Sequence, residues 1–250
     1  MSNVIKLKCT YNINYFIVII LPYIELFIAE NPESVIIFFA NDIICTILNV
    51  MFKNNIKTQL IKHGFDIISS NSPIIETDNF FKMIYGEESL RSTEDSFVKI
   101  TRPLRYGVNL HLKSRVFTCI YPKCIQLDTF GGMTHSMLDE LYSSTLMGKN
   151  NVYAIGDITE RLNLKYGTDV ENLFDTFDYL KYCNIFITSE SYWKHIALLC
   201  GCRNIIVYNS SKQRIDELNY NPFNCNITYT DNLNAPEVYE IINKSFTYKK

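Results

Sequence analysis

The sequence predicts an α/β fold built on parallel sheets, and two observations carry that reading. Between Asn151 and Asn209, apolar strands alternate with helices: NVYAI, a Gly-Asp turn, NLFDTFDYLKY, NIFIT, a Ser/Glu-rich turn, WKHIALLC, Gly201 and NIIVY. Such alternation calls for crossover helices, which leave successive strands parallel. The amino-terminal part repeats the theme, with apolar runs at Tyr15–Leu21 and Val35–Ala40 on either side of an Asn31-Pro32 turn. Hydrophobic residues make up 47% of the 250, enough to fill one large core or two smaller ones.

The elements follow in chain order. Tyr15–Leu21 reads as a strand and Tyr23–Glu30 as a short helix opened near Pro22, where a missing N–H does no harm. Val35–Ala40 is a second buried strand. Asn41 or Asp42 caps a helix that runs to about Phe52. Lys57–His63 has a short helical pattern stopped by Gly64, and Phe65–Ser69 is a short strand. From Ser70 to about Arg115 the chain is polar, with a helical pattern at Asp78–Tyr85 and strand patterns at Val98–Ile100 and Val108–Leu112. The domain boundary is placed in this stretch, giving an amino-terminal domain of residues 1–112 and a carboxyl-terminal domain of residues 113–250. Beyond it, Val116–Tyr121 is a strand, Thr134–Met147 a helix, Asn151–Ile155 a strand and Glu171–Tyr182 a helix. Asn184–Thr188 is a strand, Trp193–Cys200 a helix stopped by Gly201, and Asn204–Tyr208 a strand. Leu218–Thr230 is turn-rich, and Ala235–Ser245 is a final helix with Pro236 in its first turn.

Composition removes several function classes. Net charge is −2, so no global field recruits nucleic acid, and no dense Lys/Arg run with interleaved aromatics is present. Nucleic acid is therefore not an expected partner. The eight cysteines form no CxxC pair and have no His partner at ligand spacing, which predicts reduced, buried thiols and no metal. His63, His111 and His135 are isolated. Tyr15–Ile28 is apolar, but it is short and is interrupted by Pro22 and Glu25, so no transmembrane segment is predicted. The expected compartment is the cytoplasm.

The block FIT-SESYWKHIALLCGCRNIIVYN resembles the signature of GT-B glycosyltransferases of the heptosyltransferase type (glycosyltransferase family nine). There a buried strand ends in Asp-Ser-Gly-Pro-x-His before a small-residue helix, a Gly turn and a strand. Glu190 falls at the motif's Asp, Ser191 at its Ser and His195 at its His, while Ala197 and Gly201 keep the helix and its stop. Gly156-Asp157 resembles the family's strand-end turn, and LPYIELFIAENPESVIIFF is similar to its amino-terminal pattern. The resemblance implies two Rossmann-like domains, the amino-terminal one shortened and facing the acceptor. It implies that the second domain holds a nucleotide-sugar donor, with no further cofactor. Tyr192 and Trp193 stand where the motif has Gly and Pro, and the family's amino-terminal Gly-Asp is not visible, so no catalytic residue is assigned.

The chemistry of the candidate site follows from its place at a helix amino terminus, whose unpaired N–H groups and partial positive charge suit a diphosphate. Thr188, Ser189 and Ser191 add hydroxyls, and Lys194 and His195 add positive or switchable charge. Glu190 either caps the helix or accepts a sugar hydroxyl. Asp157 lies at a neighbouring strand end, and Lys123, just past Tyr121-Pro122, is within reach of a phosphate. Each has a plainer role open to it: Ser189 or Ser191 as a cap, Asp157 as a turn residue, Lys123 as a solvated lysine, His195 and Trp193 as packing. The lone pair Gly131-Gly132 lacks a phosphate-loop pattern.

Three functions fit these residues. The first is transfer of a sugar from a nucleotide-sugar to an unidentified acceptor. The second is a catalytically inactive binding or assembly module on the same fold, favoured by Tyr192 and by the missing amino-terminal Gly-Asp. The third is another nucleotide-sugar enzyme, an epimerase or hydrolase.

Overall fold

The structure, a computed structural model, describes residues 4–61, 73–86, 100–107, 110–115, 117–121, 152–156, 168–170, 172–208, 220–230, 240, 241 and 244. The chain forms two compact units, Met1–Leu104 and Arg105–Lys250. It is a mixed α/β protein with two parallel sheets.

The first unit holds strands β1 (Val4–Lys8), β2 (Val35–Ala40), β3 (Ile56–Leu60) and β4 (Ile75–Glu76) in the order β3-β2-β1-β4. All of its pairings are parallel, with Val4 opposite Val35, Ile36 opposite Ile56 and Leu7 opposite Ile75. The central strand β2 is VIIFFA because both of its faces are covered, whereas the outer β3 is IKTQL and largely exposed. Helix α2 (Asp42–Phe52) starts at Asn41, whose side-chain oxygen accepts the Ile44 N–H at 3.0 Å. Helix α3 (Thr77–Tyr85) buries Phe80 and Phe81 and ends at Gly86, whose φ of 96° suits a residue without Cβ.

Residues 15–21 are helical, not the expected strand. One helix, α1, runs from Ile13 to Glu30, and Asn12 caps it by accepting the Tyr15 N–H at 2.8 Å. The apolar, largely β-branched run Phe16–Ile20 forms a π-turn, in which Leu21 N–H reaches back to the Phe16 carbonyl. Proline explains the turn: Pro22 has no N–H for the fourth residue before it and its ring crowds that carbonyl, so a wider turn relieves the clash. Pro22 thus lies inside the helix rather than at its start. By length and composition this helix passes for a membrane span, yet Phe16, Ile17, Ile20, Leu21 and Ile24 are fully buried in the unit. Its Tyr23 packs against Phe81 and Tyr85, and its Phe27 against Phe80, with ring centroids 5.3–6.0 Å apart.

Three further expectations are corrected. Residues 57–60 belong to strand β3, since five residue pairs with β2 outweigh a weak helical pattern. The strand expected at Val108–Leu112 is replaced, where described, by a short helix, α4 (Leu110–Lys113). The turn-rich Leu218–Thr230 contains strand β10 (Asn226–Thr230). The expected strand Phe65–Ser69 and helix Thr134–Met147 lie outside the described residues, as do most of Val98–Ile100 and of Ala235–Ser245.

The second unit holds β5 (Thr118–Ile120), β6 (Val152–Ala154), β7 (Thr168–Asp169), β8 (Ile185–Ser189), β9 (Asn204–Tyr208) and β10, with helices α5 (Leu173–Tyr182) and α6 (Tyr192–Cys200). Its order is β10-β9-β8-β5-β6-β7, again all parallel. Counted along the chain from β5, this is the doubly wound order 3-2-1-4-5-6, and the winding reverses between β5 and β8. Asparagines align the strand starts. Asn184 pairs with Phe117 through backbone and side chain, Asn204 Nδ2 donates to the Asn184 carbonyl at 2.8 Å, and Asn226 Nδ2 donates to Asn204 Oδ1 at 3.1 Å. Ile185, Phe186, Ile187, Ile205, Ile206 and Val207 fill the core between sheet and helices. All cysteines among the described residues are buried and free.

Candidate functional site

Strand β8 ends at Ser189, beside β5, where the winding of the second sheet reverses. Ligands of open α/β sheets bind beyond the strand ends at such a point. Tyr121, one residue past β5, donates its N–H to the Ile187 carbonyl at 2.9 Å and sets its ring 6.1 Å from that of Trp193. The two strand ends and the first turn of α6 therefore meet here. Tyr121 was read from the sequence only as the close of a strand.

The turn is built from short polar side chains. Thr188 is fully buried, and its Oγ1 lies 3.2 Å from the Ser189 carbonyl and 3.3 Å from Ser191 Oγ. Ser191 takes the N-cap position with extended backbone (φ −149°, ψ 168°), but its hydroxyl makes no capping bond. The Lys194 N–H is instead taken by the Ser191 carbonyl at 3.1 Å. One of the early amides that the sequence reading offered to a phosphate is thus used by the chain itself. At the other end of α6, Gly201 adopts the left-handed conformation (φ 69°, ψ 44°), while Cys202 N–H reaches the Ala197 carbonyl at 2.9 Å.

Two of the charged residues are tied to each other. Glu190 neither caps the helix nor stands alone: its Oε1 forms an ion pair with Lys194 Nζ, one helical turn on. Lys194 is buried, with its ammonium 5.9 Å from the centre of the Tyr229 ring on β10. Tyr229 escaped notice because its strand was read as a turn. His195 is buried, and this burial, followed by the nearby Lys194 charge, lowers its pKa to about 3. Its imidazole therefore stays neutral well into the acid range and does not switch near neutral pH. His195 Nδ1 and Trp193 Nε1 are buried and lack a partner among the described residues. Trp193 is packed between the rings of Tyr121 and Tyr192.

The structure thus brings Thr188, Ser189, Glu190, Ser191, Lys194 and His195 into one turn. Lys123, Asp157, Gly131, Gly132, His63 and His135 lie outside the described residues. His111 lies on α4, where its carbonyl accepts from Ser114 Oγ.

A second polar group, missed in the sequence, sits at the carboxyl ends of β1 and β4, the reversal point of the first sheet. Tyr11 Oη donates to Asp78, Lys8 pairs with Glu76 at 3.6 Å, and Thr77 Oγ1 donates to the Lys8 carbonyl at 2.7 Å. Burial and then Asp78 raise the Tyr11 phenol above its ordinary range. The missing signal was β1 itself, whose sequence VIKLK is half polar. Among the described residues no group of three or more His, Cys, Asp and Glu is arranged to hold a metal ion.

No family model matches the chain, and no curated protein matches it by sequence. Solved structures do. E. coli ADP-heptose LPS heptosyltransferase II superposes with a TM-score of 0.53 at 11% identity, covering 98% of this chain and 99% of that one. A glycosyl transferase family 9 protein from Veillonella parvula DSM 2008 gives 0.50 at 12% identity, covering 99% and 92%. At such identities the likeness is one of fold, and the chain has a heptosyltransferase-like, family-nine glycosyltransferase fold.

Proposed function

We propose that this chain is a glycosyltransferase that moves a sugar from a nucleotide-sugar to an acceptor. It would work as two Rossmann-like domains in the GT-B manner, the amino-terminal one shortened. The carrying observation is the coincidence of the Ser189–His195 turn with the reversal point of the second sheet, on a fold shared with two glycosyltransferases. In this reading the diphosphate lies at the amino end of α6, among the Ser189 and Ser191 hydroxyls, Lys194 and the helix dipole. Stabilising that leaving group is the main catalytic work of the domain. Lys123 and Asp157 are proposed as further contacts from their sequence positions alone. No metal is invoked, and the nucleotide-sugar is the only small molecule required. The acceptor is assigned to the first unit.

Isothermal titration of the whole chain against UDP-, ADP-, GDP- and CMP-sugars tests this. Saturable one-to-one heat with one nucleotide class is expected, and a folded chain silent towards all four removes the reading.

A second reading, an inactive binding module on the same fold, is favoured by the Glu190–Lys194 pair, which satisfies the site from within. A donor that binds but is never consumed, with or without candidate acceptors, would establish it.

A further inference from the structure

The Glu190–Lys194 pair straddles the N-cap of α6. The lysine side chain is 5% exposed and the glutamate 28%, so the cation is fixed inside the protein while its partner lies nearer to water. A buried ammonium needs a counter-charge, and removing the partner leaves the charge uncompensated. The same turn holds two other buried polar atoms without partners among the described residues, Trp193 Nε1 and His195 Nδ1. With a helix amino terminus and a buried cation in one turn, the site suits an anion, and the chain supplies one of its own.

We infer that Glu190 is a resident counter-ion that an incoming phosphate-type ligand displaces from Lys194. This rests on placing the diphosphate at α6. No covalent step is involved: one ionic partner of the ammonium is exchanged for another, and the freed carboxylate swings into water. Glu190 then sets affinity and selectivity, because an anion must outcompete a carboxylate already in place. Pyrophosphate, with its higher charge density, does so better than a monoanion.

The test uses the full chain as wild type, E190Q, K194M and the E190Q/K194M double variant, each titrated with inorganic pyrophosphate and melted with and without it. E190Q should bind pyrophosphate about tenfold more tightly than wild type, equivalent to about 1.4 kcal/mol, and gain more in melting temperature from it. K194M and the double variant should show neither effect. If E190Q is poorly folded in plain buffer, pyrophosphate should restore its melting transition. Unchanged or weaker binding by E190Q, or equal tightening in the double variant, overturns the inference. Heat from a nucleotide-sugar with no tightening in E190Q defeats the inference and leaves the transferase reading standing. Tightening in E190Q without heat from any nucleotide-sugar defeats the transferase reading alone.

Discussion

Glu25 and Thr101 are joined twice: the Glu25 carboxylate accepts the Thr101 N–H at 2.7 Å and the Thr101 hydroxyl at 2.9 Å. Arg102 Nε adds a third bond at 3.1 Å. The carboxylate is buried, while the arginine side chain is 62% exposed. The neutral donors should therefore matter more than the ion pair, since an exposed guanidinium is well screened. E25A should cost about 1–2 kcal/mol, because it removes hydrogen bonds to a buried charged acceptor while the donors of the exposed Thr101 turn to water, whereas R102A should cost less than about 1 kcal/mol. Denaturant unfolding of both variants checks this, and equal losses would show that the pair dominates.

What the sequence revealed was what burial writes into it. Strands β2, β5, β6, β8 and β9 were legible because strands covered on both faces become apolar runs, and Asn41 and Gly201 mark helix ends by local chemistry. The half-polar strands were lost: VIKLK of β1, IKTQL of β3 and NITYT of β10 carry no such run. Phe16–Ile20 misled in the opposite sense, because β-branched residues favour strands, yet burial on all sides and a π-turn ahead of Pro22 hold them in a helix. At the site, the SES turn was legible as a strand end facing a helix start. The Glu190–Lys194 spacing of four was there to be read as a pair, but the depth of Lys194 was not, because it depends on β10. The neutral state of His195 likewise follows from tertiary burial, which spacing does not record.

His195 should make stability depend on pH. Its folded pKa of about 3 lies below the ordinary imidazole value of 6.5, so the unfolded chain binds the extra proton first. The contribution is fully present above pH 6.5 and is lost as pH falls from there towards 3. Across that window the loss should approach about 1.4 kcal/mol per pH unit for this one group. H195Q should flatten the profile between pH 6.5 and 5 relative to wild type. Identical slopes in the two proteins would mean that His195 is protonated in the folded state.

Asn204 ties three strands together at their starts, the opposite end of the sheet from the proposed ligand site. N204A removes the donor to the Asn184 carbonyl and the acceptor for Asn226 Nδ2. A loss of about 1–2 kcal/mol in unfolding free energy is expected, with pyrophosphate affinity unchanged. A fall in affinity at preserved stability would place this strand-start ladder in the binding machinery.

Trp193 is the only tryptophan in the chain and lies in the first turn of α6, 1% exposed between Tyr121 and Tyr192. Its fluorescence therefore reports on the one turn that matters. In the native protein its emission should be blue-shifted from that of the unfolded chain and resist quenching by acrylamide, because the indole is out of water. An anion seated at the amino end of α6 sits within one turn of this ring, so pyrophosphate or a nucleoside diphosphate should change the emission along a saturable curve. The curve should track calorimetric binding and vanish in K194M. Binding heat that leaves the emission untouched would locate the ligand elsewhere in the molecule. A native emission as red as that of the unfolded chain would mean that the indole is not packed against Tyr121, and the meeting of β5, β8 and α6 would lose its central contact.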